Sequence, residues 1–367
     1  MKLFAIKGLD RPGGGAERVL VDVANGLTAR GHNVGIISYD RPSQGSFYEL
    51  DPRIEWVRLG LGRIDEPSTM GETLARIRAL RRTILSLDPA VVVGFLHSMF
   101  VPLGVSLVGT RIPLIASEHS APAHYDTRPM QRVLVQFTPW LARQMTVVSD
   151  QILSQYSEKD RRHITVIPNP VQLNITARAD VVGEASKRKI LLSVGRLVPQ
   201  KDHRTLIAAF AKIASDVPDW DLRIVGEGEL RSDLEKQIHE LNLGQRVQLP
   251  GATDKIYVEY ENAQLFALSS LYESLGLVVI EALAHGLPSV GFADCPGVND
   301  LIKPGLNGAL VSGKDRVGAF AEVLRSLMQD SDTRVRLVAP STAVPEECDI
   351  ERVVDRWEVL LEKYGRR

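Results

Sequence analysis

The sequence has little of what usually marks a specialised chain. Cysteine occurs only at Cys295 and Cys348, which is no disulfide framework and fits a reducing compartment. No apolar run reaches the roughly 20 residues that a membrane span needs. The nearest, Pro89 to Gly109, carries no formal charge but is broken by Gly94, His97, Ser98, Pro102 and Gly104. It reads as a buried strand over Ala90–Phe95, a turn at His97-Ser98 and a packed helix. The run Leu3–Ile6 is too short for a secretory leader and reads as a first strand. Neither sign of charge prevails, since the formal net charge is −1, and this total gives a nucleic-acid partner no support. Internal repeats and low-complexity tracts are also lacking.

What remains is ordinary globular material of 367 residues, 44% hydrophobic and 24% charged, too long for one ordinary core. Its charge is unevenly spread. Residues 1–170 hold 20 Lys+Arg against 16 Asp+Glu, and the remainder holds 24 against 29. The N-terminal half is thus the better face for an anionic partner. Short β-branched runs alternate with helical patterns along both halves. The first half offers Leu3–Ile6, Val34–Ile37, Ile54–Val57, Ala90–Phe95, Pro113–Ser117, Met145–Val148 and Ile164–Ile167. The second offers Lys189–Val194, Leu222–Val225, Arg246–Leu249, Leu265–Leu268, Pro288–Phe292 and Ala309–Val311. Such alternation predicts two α/β domains, each a doubly wound parallel sheet, with a cleft between them. The break falls at Pro168-Asn-Pro170, followed by a polar, strand-free stretch of linker composition to Arg188. After Asp315 the pattern is helical through to Tyr364.

Several constellations stand where such sheets bind ligands, at the carboxyl ends of strands. Glu273-Ser-Leu-Gly276-Leu-Val-Val-Ile-Glu281 sets two carboxylates around a glycine turn and a helix start. Free backbone N–H groups there suit an anion, and the carboxylates suit hydroxyls, the combination a sugar nucleotide requires. Gly195-Arg196, with Lys201 further along the same loop, follows a strand and can bring a guanidinium fork and an ammonium to one diphosphate. Gly13-Gly14-Gly15 and Gly226-Glu-Gly repeat the strand–glycine–helix arrangement. Either could cradle a phosphate or be a plain tight turn. His97 and His119 sit at strand ends, and each could be structural or functional. Arg76, Arg78, Arg81 and Arg82 mark one amphipathic basic helix, and Arg128, Arg132 and Arg143 flank another. These suit an anionic membrane or a lipid diphosphate, or else are solvated faces. No metal-ligand cluster is evident, nor an Asp-x-Asp arrangement of the sort that holds a divalent ion to a diphosphate, so metal-independent chemistry is expected.

Taken in order, the glycine-rich first turn, Ser117-Glu-His119-Ser, Gly195-Arg-Leu with Lys201, Gly226-Glu-Gly and the E-x7-E segment resemble the retaining glycosyltransferases of family 4, of GT-B fold. The softer likeness of Gly-Gly-Ala-Glu-Arg-Val and Ser-Glu-His-Ser is to bacterial enzymes that extend lipid-linked oligosaccharides or polysaccharides. The resemblance implies an acceptor-side domain over 1–170, a nucleotide-sugar domain over 171–345, and a C-terminal helix at 346–367 packed on the first domain. It implies a donor site of Gly14, Gly15, Gly195, Arg196, Lys201, Gly226, Glu273, Leu275, Gly276, Leu277 and Glu281. Arg196 and Lys201 would hold the diphosphate, Glu273 the sugar hydroxyls, Glu281 the ribose hydroxyls, and His119 the donor sugar. His97, Arg78, Arg82 and Arg132 would lie toward acceptor or membrane. The donor it implies is a UDP-sugar. The acceptor is a glycan or polyprenyl-diphosphate-linked chain, met in the cytoplasm or peripherally at the anionic inner membrane. Glu273-Ser-Leu-Gly departs from the Glu-Gly-Phe-Gly or Glu-Gly-Leu-Pro of many relatives, and Asp294-Cys-Pro-Gly-Val-Asn-Asp300 lacks their double glycine.

No carboxylate offers itself as a nucleophile, so same-face substitution is expected, with the leaving diphosphate taking the acceptor's proton. Rival readings are a sugar-nucleotide epimerase or hydrolase of the same fold, a nicotinamide-dependent dehydrogenase using Gly13–Gly15, and a non-catalytic membrane adaptor. Against the dehydrogenase, no glycine follows that turn three residues on as a G-x-G-x-x-G fingerprint needs, and no acidic residue clearly ends the second strand as a ribose acceptor, Asp40 being the nearest.

Overall fold

The structure, a computed structural model, describes all residues except 11–13, 62–68, 121, 126–128, 137, 174, 176–177, 185–187, 339–343 and 366–367. For 122–123, 129–130, 132, 136 and 139–140 it describes the backbone alone. Gly13 and Arg128 therefore lie outside the described residues, as does the side chain of Arg132.

The chain forms two compact units: Met1–Pro170 with Glu347–Arg367, and Val171–Glu346. Unit 1 carries strands β1 (Lys2–Ala5), β2 (Val34–Ser38), β3 (Glu55–Arg58), β4 (Val91–Phe95), β5 (Leu114–Ser117), β6 (Gln144–Val147) and β7 (Ile164–Val166). They form one sheet in the order β3-β2-β1-β4-β5-β6-β7, every pair parallel. Unit 2 carries β8 (Lys189–Val194), β9 (Trp220–Val225), β10 (Val247–Gly251), β11 (Leu265–Ala267), β12 (Ser289–Phe292) and β13 (Gly308–Val311). Their order is β10-β9-β8-β11-β12-β13, again all parallel. Both sheets are doubly wound. β2 and β4 are buried along their whole length, as continuous apolar runs in such sheets must be. The direction of winding reverses between β1 and β4 in unit 1 and between β8 and β11 in unit 2.

The last helix, Ile350–Gly365, belongs to unit 1. Val353, Val354, Trp357, Leu360 and Leu361 are buried in the core formed with the helix Gly15–Ala29 and the sheet. A side chain at Gly26 would come within 2.6 Å of Val354, so this glycine sets the approach of the two helices.

One sequence expectation needs correction here. The stretch after Pro170 is not a loose linker where it is described. Val181 is buried, and the wholly buried Arg334 donates from Nε to its carbonyl at 2.8 Å. The Pro89–Gly109 stretch is a strand followed by the helix His97–Ser106. Among the described residues, no helix is long and apolar enough to cross a membrane.

Candidate functional site

In an open parallel sheet the crevice at the point of reversed winding is where ligands bind. In unit 2 that point lies between the loops leaving β8 and β11. The β8 loop runs from Gly195 into a short 3-10 turn, Pro199–Lys201. The β11 loop runs through Ser269, Ser270 and Glu273. The Ser269 hydroxyl donates to the Lys201 carbonyl at 2.8 Å, and Gln200 Nε2 donates to the Tyr272 carbonyl at 2.8 Å. Lys201 Nζ then reaches Glu273 Oε1 at 2.6 Å. The Ser270 hydroxyl donates to the same oxygen at 2.6 Å. The paired side chains are only 13% and 10% exposed, so removing either would strand the other's charge. An ammonium has three donors, and one is used here.

The neighbouring glycines have local reasons. A Cβ at Gly195 would meet the stem of Lys201 at 3.2 Å, so the bare backbone lets the lysine lie across it. Gly226 and Gly228 press on the carbonyls of Gly195 and Leu197, with no room for a side chain. Their positions are explained by support of the β8 loop. Arg196 is exposed, and its guanidinium makes no hydrogen bond or ion pair among the described residues.

Glu273 is followed by Gly276, whose φ of +68° caps the helix Leu277–Ala284. A Cβ there would lie 2.5 Å from the Gly297 carbonyl. The Glu273 N–H donates to the Pro296 carbonyl at 2.8 Å, so the two loops interlock. The N–H groups of Leu275, Gly276 and Leu277 have no acceptor among the described residues, as a helix start requires. Glu281 is separate. It is buried on that helix and accepts the Tyr260 hydroxyl at Oε2, 2.7 Å away. Tyr260 in turn stacks on His285, with ring centroids 5.0 Å apart. The structure thus joins Lys201 to Glu273 but gives Glu281 another partner. Tyr260, 21 residues upstream of Glu281, was not singled out in the sequence. No local pattern marks it, since the short helix Ile256–Glu261 also carries Tyr257 and two glutamates.

In unit 1, Gly14 caps the helix Gly15–Ala29 without a side-chain hydrogen bond. Asp40, the sequence candidate for a ribose acceptor, is wholly buried. Its Oδ2 accepts from the Leu9 N–H at 2.9 Å and from the Ser38 hydroxyl at 2.7 Å. That carboxylate holds the β1 loop, which counts against a dinucleotide site.

His119 leaves β5 and stacks on Phe95 at 4.8 Å, and Phe95 stacks on Trp357 at 5.9 Å. Its Nε2 lies 2.9 Å from Ser117 Oγ and its Nδ1 3.0 Å from Asn169 Oδ1. Burial lowers its pKa to about 4, so the ring is neutral at physiological pH. Beside it, the fully buried Glu118 accepts from the Ser120 N–H and the Tyr125 hydroxyl, both at 2.8 Å. Burial raises its pKa to about 7, against the pull of these bonds. The Tyr125 oxygen also lies 2.9 Å from His97 Nδ1. The sequence reading quoted Glu118 within Ser-Glu-His-Ser but gave it no role.

Two of the four arginines on the helix Met70–Leu87 are not surface cations. Arg76 is buried with its guanidinium 4.8 Å from the Tyr39 ring centroid. Arg81 donates to the Ser106 carbonyl at 2.6 Å and the Val108 carbonyl at 2.9 Å. Arg78 and Arg82, one turn apart, are exposed. Among the described residues, no group of three His, Cys, Asp or Glu side chains is arranged to hold a metal ion.

Residues 13–175 match the model of glycosyltransferase family 4, and residues 175–342 match that of glycosyl transferases group 1. The chain belongs to the family 4 glycosyltransferases. A Campylobacter jejuni relative, named a GalNAc-alpha-(1->4)-GalNAc-alpha-(1->3)-diNAcBac-PP-undecaprenol alpha-1,4-N-acetyl-D-galactosaminyltransferase, is 28% identical over 353 residues, covering 95% of each chain. Among solved structures, sucrose-phosphate synthase of Thermosynechococcus elongatus has a TM-score of 0.81 at 21% identity, covering 99% of this chain and 98% of its own. The Anabaena protein HepE, solved with UDP and glucose, has a TM-score of 0.79 at 19% identity, covering 98% and 99%. The fold is therefore GT-B, and this family 4 chain is an enzyme of glycosyl transfer.

Proposed function

We propose that this glycosyltransferase moves a hexose from a UDP-sugar to a glycan or polyprenyl-diphosphate-linked oligosaccharide, with the anomeric configuration retained. The observation that carries the reading is the Lys201–Glu273 pair at the reversal point of unit 2. It lies on loops that also present the Arg196 guanidinium and the Leu275–Leu277 N–H groups. Arg196 and the remaining Lys201 donors hold the diphosphate, the N–H groups reach sugar and phosphate, and Glu273 accepts sugar hydroxyls. Glu281, fixed by Tyr260, accepts ribose hydroxyls, and His119 hydrogen-bonds the transferred sugar. Gly14 and Gly15 let diphosphate or acceptor approach the backbone.

The bond from the anomeric carbon to the diphosphate oxygen breaks. A bond to the acceptor oxygen forms on the same face, and the acceptor's proton passes to the departing diphosphate. Lys201 and Arg196 stabilise the charge that develops there. No metal is required by this scheme. Relatives that act on lipid-linked acceptors support such an acceptor. Arg78 and Arg82, near the exposed Leu74 and Leu85 on the same helix, support a peripheral contact with anionic lipid.

Thermal shift against a panel of sugar nucleotides tests the donor, since a ligand that binds only the folded form raises its melting temperature. A rise with UDP-sugars above that with GDP- or ADP-sugars is expected. Turnover with a lipid-linked oligosaccharide in chelator follows, with anomeric couplings read by NMR. Conversion of the donor without acceptor would instead favour an epimerase or hydrolase.

A further inference from the structure

His119 is held by a hydrogen-bond chain with a fixed direction. Thr146 Oγ1 lies 2.9 Å from Ser117 Oγ, Ser117 Oγ 2.9 Å from His119 Nε2, and His119 Nδ1 3.0 Å from Asn169 Oδ1. A neutral imidazole donates from one nitrogen and accepts at the other. Hydroxyls rotate to suit either tautomer, so Ser117 and Thr146 do not decide between them. A carboxamide oxygen only accepts, so the Asn169 contact requires Nδ1–H. Nε2 is then an acceptor. Asn169 is itself buried. It sits between Pro168 and Pro170, and neither proline has a backbone N–H to offer. The far face of the imidazole rests on the Phe95–Trp357 stack, which fixes the ring plane.

We propose that Asn169 is a positioning residue. It locks His119 in the Nδ1–H tautomer and so presents Nε2 as an acceptor for a hydroxyl proton, from Ser117 in the free protein and from the transferred sugar in turnover. The role in turnover rests on the reading of His119 given above; the tautomer does not. A wrong tautomer would meet the sugar hydroxyl with a second donor, and the hydroxyl would have to rotate or move away.

The test has two arms. The first is 15N NMR of histidine-labelled wild-type chain without ligand, which assigns each ring nitrogen as protonated or bare. Nδ1–H is expected at His119, and Nε2–H would overturn the proposal whatever the protein's activity. The second is a double-mutant cycle with Asn169→Leu and His119→Gln. Asn169→Leu should lower kcat by about 10- to 100-fold, the scale of a misplaced contact, with the KM for the acceptor unchanged. Asn169→Asp, which retains an acceptor oxygen, should recover most of that loss. In the His119→Gln background, Asn169→Leu should cost nothing further. A full loss in both backgrounds would make Asn169 a merely structural residue of the Pro-Asn-Pro turn. A wild-type chain that shows Nδ1–H yet transfers no sugar would sink the functional reading and leave the tautomer lock standing.

Discussion

The two units share one topology but treat charge in opposite ways. At the reversal point of unit 2, adjoining loops are joined by an ion pair, Lys201–Glu273 at 2.6 Å, with Arg196 exposed alongside. At the strand ends of unit 1, the polar groups lie in closed chains that disfavour charge. His119 is kept neutral by burial, and Glu118 is pushed up to about 7 for the same reason. A parallel sheet dictates where a site falls, not its electrostatics. Those are set by which loops are short and ionic and which are deeply buried. Unit 2 thus holds an ion pair at its reversal point, whereas the strand ends of unit 1 hold neutral, hydrogen-bonded side chains.

The largest expected effect would break unit 1's side of this contrast. Trp357→Ala removes the wholly buried base of the Trp357–Phe95–His119 stack. It should lower the stability of unit 1 by about 3–5 kcal/mol, read as a lower first transition in thermal or urea unfolding. An unchanged transition would show that the C-terminal helix does not support that core.

Next comes Lys201→Ala, which removes the cation from unit 2. Turnover should fall by about 10²- to 10³-fold, the scale for loss of one preorganised donor to a developing oxyanion, while UDP affinity changes far less. Equal losses in both would reduce Lys201 to a binding residue.

The smallest effect sharpens the electrostatic contrast. The Glu118 carboxyl is raised from 4.5 to about 7 in the folded chain. Its contribution is therefore fully present below pH 4.5 and lost as pH rises through 7, by up to about 3 kcal/mol. Glu118→Gln should remove that fall, so that melting temperatures measured from pH 5 to 8 rise to about pH 6.5 through His119 and are level beyond it. His119 works the other way. Its pKa is lowered from 6.5 to about 4, so its contribution is complete above 6.5 and lost as pH falls through 4. The variant should retain that acid limb. A wild-type slope preserved in Glu118→Gln would mean that another group titrates.

The strands were legible because most are short runs rich in apolar and β-branched residues between turn residues, and the observed limits differ from the sequence reading by at most two residues. The uses of individual cations were not. Helical spacing places Arg76 and Arg81 on a face, but nothing local reveals the Tyr39 ring or the carbonyls at Ser106 and Val108. The stretch after Pro170 reads as linker because its composition is polar. Its tether is Arg334, 153 residues beyond Val181. Lys201 and Glu273 were each visible in a motif, yet their meeting depends on β8 and β11 being neighbours, which separates them by 72 residues in sequence. The partner of Glu281 was hidden for the same reason, since Tyr260 belongs to a different helix.

The account depends most on Glu273 contacting the sugar and not the nucleotide. Isothermal titration of UDP and of the preferred UDP-sugar against wild type and Glu273→Gln tests this directly. UDP affinity should stay within about twofold, a change of under roughly 0.5 kcal/mol, while the extra affinity contributed by the sugar disappears. If UDP and UDP-sugar weaken by the same factor, the ion pair is a structural clasp, and the site proposed around it is wrong.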